Sequence, residues 1–190
     1  MPEESTKAAI EAVLADFDAQ KPDAALAKLE VMEKQLPDDP LVLNLIGSAY
    51  SKKKDYLAAE TYFRKAVKKS PNFFPAIFNI GEIYFLQKKY AEAREHFQAM
   101  RGSDARHELL QFKLVLCDLA LNETERAKKV MDAIKYPGNS PAWYYAHAAY
   151  ENKMGNNKKA REYVAGAQYI FGPKTSLFDE SFEAAGISLR

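Results

Sequence analysis

The side chains best suited to zinc binding, nucleophilic attack or proton transfer near neutral pH are His96, His107, His147 and Cys117. The histidines do not stand at metal-ligand spacing from one another or from Cys117. They read as surface or packing residues. Cys117 closes the apolar run Leu114-Val115-Leu116-Cys117 with no base or cation evident beside it, so it reads as a small buried hydrophobe rather than a nucleophile. The eight glycines are scattered singly and form no phosphate-cradling loop. Asn122-Glu123-Thr124 spells a glycosylation triplet, a short pattern that chance often supplies. With no catalytic constellation, the expectation is a chain that is not an enzyme and uses no cofactor and no metal.

Basic residues offer a second kind of chemistry. Lysines recur in runs at 52–54, 68–69, 88–89, 128–129 and 158–159. An edge of such runs could hold an acidic or nucleic-acid partner. No aromatic residues interleave with them for base stacking, so they read as solvated turns, and no nucleic acid is expected. Formal net charge is +1, which gives no global pull toward polyanions. The charge is uneven, however: residues 1–39 carry 4 basic and 10 acidic groups, and residues 40–73 carry 7 basic and 2 acidic. These neighbouring segments should attract. No apolar run reaches the 18 or so residues of a membrane span, so no membrane insertion is expected. Met1-Pro2 opens no export signal, although a chain trimmed after export would begin the same way. The compartment is therefore open between the cytoplasm, taken by default, and an exported or periplasmic setting. A lone cysteine permits no intramolecular disulfide.

The positioning elements are helices. Apolar residues recur at helical spacing, as in Leu43, Ile46, Tyr50 and again in Ile77, Ile80, Tyr84. Strand-like alternation is absent. Asp39-Pro40 and Ser140-Pro141 each set a capping side chain before a proline at a first helical position. Gly47 and Gly81 lie 34 residues apart, and Tyr50, Tyr56, Ala59 and Phe63 map by the same step onto Tyr84, Tyr90, Ala93 and Phe97. A fixed period of this size means one helix–turn–helix unit copied and stacked. Small residues fall where helices must approach, and large ones where the gap needs filling.

These residues resemble the tetratricopeptide repeat family. Residues 40–73 supply Leu43, Ile46-Gly47, Tyr50, Ala59, Phe63, Ala66 and Pro71 in the family's order; residues 74–107 supply Ile77, Ile80-Gly81, Tyr84, Ala93 and Phe97, with Met100 for the last alanine and no final proline. The flanks are degenerate: Val13 and Val115 replace the glycine, and Asp16 and Asp118 the tyrosine. In residues 140–173, Gly155 and Ala160 come one residue late, so the first helix there is expected to be one residue longer. The resemblance implies an all-α, right-handed superhelical solenoid over residues 1–173, with repeats near 6–39, 40–73, 74–107, 108–139 and 140–173. Residues 174–190 are expected to form a capping helix. There Ser176 and Asp179 make a capping-box-like pair, Phe178 and Phe182 share a face, and Gly186 ends the helix.

In that family the first helices line a concave groove that binds peptides or folded partners. Projected here, the groove is expected to hold Asn44, Ser48, Phe78, Asn79, Glu82, Phe85, Phe112, Lys113, Leu116, Tyr144 and Tyr145. Phe78, Phe85, Phe112 and Tyr144 would form an apolar stripe, with isolated polar groups to fix a bound backbone. A subset of the family grips acidic chaperone tails with a two-carboxylate clamp. Asn79 and Lys113 match that clamp, but Asn44, Ser48 and Leu109 do not, so chaperone-tail binding is not expected. The functional expectation is a non-enzymatic scaffold that binds a protein or peptide partner of unspecified identity. The alternative is self-association into a homo-oligomer through the aromatic groove or the C-terminal tail.

Overall fold

A computed structural model describes the backbone of residues 3–100 and 104–188; residues 1–2, 101–103 and 189–190 lie outside the described residues. The described residues fold as α1 Glu3–Asp18, α2 Pro22–Gln35, α3 Pro40–Lys52, α4 Tyr56–Lys69, α5 Phe74–Leu86, α6 Tyr90–Ala99, α7 Asp104–Ala120, α8 Thr124–Asp132, α9 Ala142–Lys153, α10 Asn157–Phe171 and α11 Ser176–Ala184, with a 3-10 turn at Gly172–Thr175 before α11. There is no strand among them. Two compact units divide within α5, Met1–Ile83 and Tyr84–Arg190.

Each first helix ends by one device. Gln20, Lys54, Lys88, Asn122 and Gly155 hold positive φ, at steps of 34, 34, 34 and 33 residues. After each, the next backbone N–H reaches back to the last turn of the helix: Lys21 to Asp16, Asp55 to Tyr50, Lys89 to Tyr84, Glu123 to Asp118 and Asn156 to Glu151, at 2.8–3.0 Å. This left-handed cap satisfies the orphan carbonyls and reverses the chain into the second helix. Second helices approach through an alanine at the same register: Ala25, Ala59, Ala93, Ala127 and Ala160 are all fully buried.

In the first unit the core is Val13, Phe17, Ala25, Leu29, Met32, Val42, Leu45, Ile46 and Ala49 from α1–α3. Asp39 caps α3 as expected, accepting from the N–H groups of Leu41 at 2.8 Å and Val42 at 3.0 Å. The buried Phe63 ring of α4 lies where a Cβ on Gly47 would stand, 2.6 Å from Cε1. The charge asymmetry shows as exposed pairs between the first two repeats, Lys53–Asp23 at 2.6 Å and Lys69–Asp38 at 2.7 Å.

Three boundaries in the second unit differ from the sequence expectation. First, α7 begins at Asp104, not near 108. At the position equivalent to Pro71 this repeat has Ala105, the best helix former, inside the first turn of α7. Second, α9 is not lengthened. It has 12 residues against 13 in α3, and the one-residue slip lies before it. Third, Pro141 is the N-cap of α9 and Ser140 stands outside the helix. The Ser140 hydroxyl donates to buried Glu108 at 2.5 Å, and Glu108 also accepts from the Asn139 N–H at 3.1 Å.

Candidate peptide-binding face

In the first unit, the first helices α3 and α5 carry five of the expected groove residues. Asn44 is buried, and Asn79 Nδ2 donates to its Oδ1 at 3.0 Å. The amides expected to stand isolated are therefore linked to each other. Ser48 Oγ donates to the Asn44 carbonyl at 3.0 Å, a local bond that satisfies its hydroxyl. Phe78 is only 6% exposed and stacks on Phe74 with centroids 5.9 Å apart. Ser48, Asn79 and Glu82 are half-buried and form the accessible part of this set.

In the second unit, Phe85, Phe112, Lys113, Leu116 and Tyr145 are all buried. Of the expected stripe Phe112 is covered by the chain's own C-terminal helix, which also covers Lys113 and Tyr145. The Gly172–Thr175 turn, with Gly172 at φ +53°, folds the chain back after α10. Helix α11 then lays Phe178 and Phe182 on α7 and α9. Phe178 lies 5.0 Å from Phe112 and 5.3 Å from Tyr145, and Phe182 lies 6.2 Å and 5.0 Å from the same rings. These tilted and edge-on arrangements suit aromatic quadrupoles.

Two polar bonds complete this contact. Lys113 Nζ donates to Ser181 Oγ at 2.6 Å, with the Phe85 and Phe112 rings about the ammonium at 6.0 and 5.9 Å. The Tyr145 hydroxyl donates to the Asp179 carboxylate. Burial first, and Asp179 next, raise the Tyr145 pKa far above its usual value, so the phenol stays protonated and a donor. Asp179 therefore serves Tyr145. No capping box with Ser176 forms; Thr175 is the N-cap of α11 and makes no side-chain cap bond. Gly186, at φ +69°, ends α11 as expected, with the Ile187 N–H returning to the Phe182 carbonyl at 2.9 Å. Beyond it, Ala185–Ile187 border a cleft of about 170 Å³ with Leu116, Leu119, Ala149 and Asn152.

Tyr144 is the misplaced member of the expected groove. The register slip before α9 rotates the assignment by one residue, so Tyr145 takes the position of Phe78 and Phe112. Tyr144 instead packs on α10, where a Cβ on Gly166 would stand 3.2 Å from its Cε1. It joins Tyr136, Trp143 and Phe171 in an aromatic cluster.

Buried Asp118 on α7 was not among the expected site residues. Its Oδ1 accepts from Arg94 Nε at 2.5 Å and Arg126 Nε at 2.7 Å, tying α6, α7 and α8 together. The signal was present: aspartate stood where the repeat wants tyrosine, at Asp16 as at Asp118. Asp16 likewise pairs with a cation, Lys28. Among the described residues no group of three His, Cys, Asp or Glu could hold a metal ion, and no helix is long and apolar enough to cross a membrane.

Comparison with known proteins agrees with this geometry. Family models described as tetratricopeptide repeat match residues 10–73, 45–107 and 84–150. Mouse (Mus musculus) BBSome complex member BBS4 is 24% identical over 139 residues, 73% of this chain; the chain spans 27% of that protein's length. A thermophilic TPR protein of Thermus thermophilus superimposes with a TM-score of 0.72 at 18% identity, over 96% of this chain and 99% of that one. MamA of Desulfovibrio magneticus RS-1 gives a TM-score of 0.61 at 21% identity, over 86% and 93%. The fold they share is a scaffold for protein–protein interaction. Helix hairpins closed by one repeated turn, alanines buried in one register and matches across residues 10–150 place this chain in the tetratricopeptide repeat family.

Proposed function

We propose that the chain is a non-enzymatic adaptor that binds a segment of a protein partner on its first-helix faces. The observation carrying this reading is the seating of α11: the α7/α9 face accepts an amphipathic helix through aromatic, lysine and tyrosine contacts. A face that receives one helix has the chemistry to receive another: apolar anchors supply contact area, and a few polar groups fix register. The mouse relative's membership of a protein complex is in keeping with this role. The half-buried Ser48, Asn79 and Glu82 add a polar set in the first unit.

Affinity capture from the native cell tests the reading when it is run in parallel with two full-length variants. Ser48→Arg places a bulky cation on the first unit's face, and Asn152→Arg does so on the second unit's face. Loss of a partner that wild type retains, at unchanged helical content, is expected from at least one of them. Retention by both places the partner elsewhere. Self-association is the second reading, and it draws on the exposure of Tyr169 and Ile170 on α10. Light scattering over a dilution series separates it, since a monomer at every concentration removes it.

A further inference from the structure

We infer that α11 is a displaceable occupant of the α7/α9 face, and that the partner this face accepts is a short amphipathic helix of the same pattern: two aromatic residues four apart, with a carboxylate beside the first. The inference rests on the adaptor reading and gives its partner a chemistry. In α11 the pattern is Phe178-Asp179-Glu180-Ser181-Phe182. One narrow stripe, Phe178, Ser181 and Phe182, is buried, while Ser176, Leu177, Glu180, Glu183 and Ala184 are exposed. The contact is thus one helix face on one surface, without the two-sided burial of α7 and α9.

Helix α11 has nine residues, fewer than the roughly 12–15 at which a helix begins to stand alone in water. Its order therefore comes from the face it sits on. Both ends turn at glycines of positive φ, Gly172 and Gly186, with no atom within 4 Å of where a Cβ would be. The hinges are open on both sides. Removing α11 would bare Phe112, Tyr145 and the buried Lys113 together. An apolar patch holding a phenol donor asks for aromatic rings and for a carboxylate to accept from the phenol. Helix α11 supplies that set, and a partner helix must match it to compete.

The test uses the full chain. The probe is a fluorescein-labelled peptide copying residues 174–188, and the control is the same peptide with both phenylalanines changed to alanine. Phe178→Ala/Phe182→Ala in the chain should release α11 and raise probe affinity at least tenfold over wild type, with no binding of the control. A folded variant that binds probe no better than wild type overturns the inference. Native-state amide exchange on wild type covers the case in which the variant fails to fold. Amides of α11 should exchange at least tenfold faster than those of α7 and α9, and exchange at the same rate would make α11 an integral part of the core and overturn the inference. Partner capture by wild type, with α11 exchanging no faster than α9, removes this inference and leaves the adaptor reading standing.

Discussion

Replacing Gly47 by alanine puts the packing logic of the repeat to a test of sign. In an ordinary helix interior the change stabilises by about 1 kcal/mol, because glycine costs that much backbone entropy. Here the new Cβ would meet the Phe63 ring at 2.6 Å from Cε1, 2.7 Å from Cδ1 and 3.0 Å from Cζ. Ordinary carbon contacts begin near 3.5 Å, so ring or helix must yield by roughly 0.9 Å. Phe63 is 1% exposed and has no open side to move into. Overpacking of this kind costs about 1–3 kcal/mol. The clash outweighs the propensity gain, and a net loss of about 1 kcal/mol is expected. Urea denaturation followed by circular dichroism reads it as a lower midpoint at unchanged slope. Phe63→Leu in the same background should recover about 1 kcal/mol as a coupling energy in a double-mutant cycle. A Gly47→Ala chain more stable than wild type by about 1 kcal/mol refutes the account of how the first and second helices meet.

Other substitutions separate the remaining roles. Asp118→Ala leaves Arg94 and Arg126 facing a void; Arg126 is partly solvated, so a loss at the low end of the range for broken buried pairs, about 3 kcal/mol, is expected in the same denaturation assay. Phe112→Ala, at a fully buried ring, should cost about 3–5 kcal/mol, so groove mapping by alanine at this position would report folding rather than binding. His147 tests pH dependence. Burial is the main cause holding its pKa below the ordinary 6.5, against the Trp143 carbonyl, Asp132 and Glu151, which raise it, and with Lys159, which lowers it further. The unfolded chain then binds the proton more readily, so this stabilisation is complete above about pH 6.5 and is lost as pH falls below it. Thermal melts should shift down between pH 7.5 and 5.5, and His147→Phe should flatten that shift. Fluorescence of Trp143, whose ring centroid is 4.0 Å from His147, should follow the same titration.

The helical class, the period and the hairpin repeats were legible because they are local: spacing, alanine register and turn residues lie within one unit and recur in the next. Lys54 and Lys88 could be placed in turns, since their neighbours are polar and the helix pattern lapses there. What was not legible depends on contacts distant in sequence. The slip before α9 was visible in the 33-residue step from Asn122 to Gly155, one short of the period, but spacing alone could not say where in that step the residue was missing. That ambiguity moved Tyr144 into the groove and blurred the place of Tyr145. Burial of Phe112 and Lys113 depends on Phe178, Ser181 and Phe182, some 65 to 70 residues away, and the Gly172 turn that brings them back has no counterpart elsewhere in the period. Asp118 takes one arginine, Arg126, from its own repeat and the other, Arg94, from the repeat before, and only the second lies far from it in sequence.

The most direct test of the adaptor account is an amide-exchange footprint of the full chain with its captured partner bound. The account predicts slowed exchange on first helices, α7 and α9 foremost, together with faster exchange in α11. A footprint confined to second helices such as α8 and α10, with α7, α9 and α11 unchanged, would contradict it.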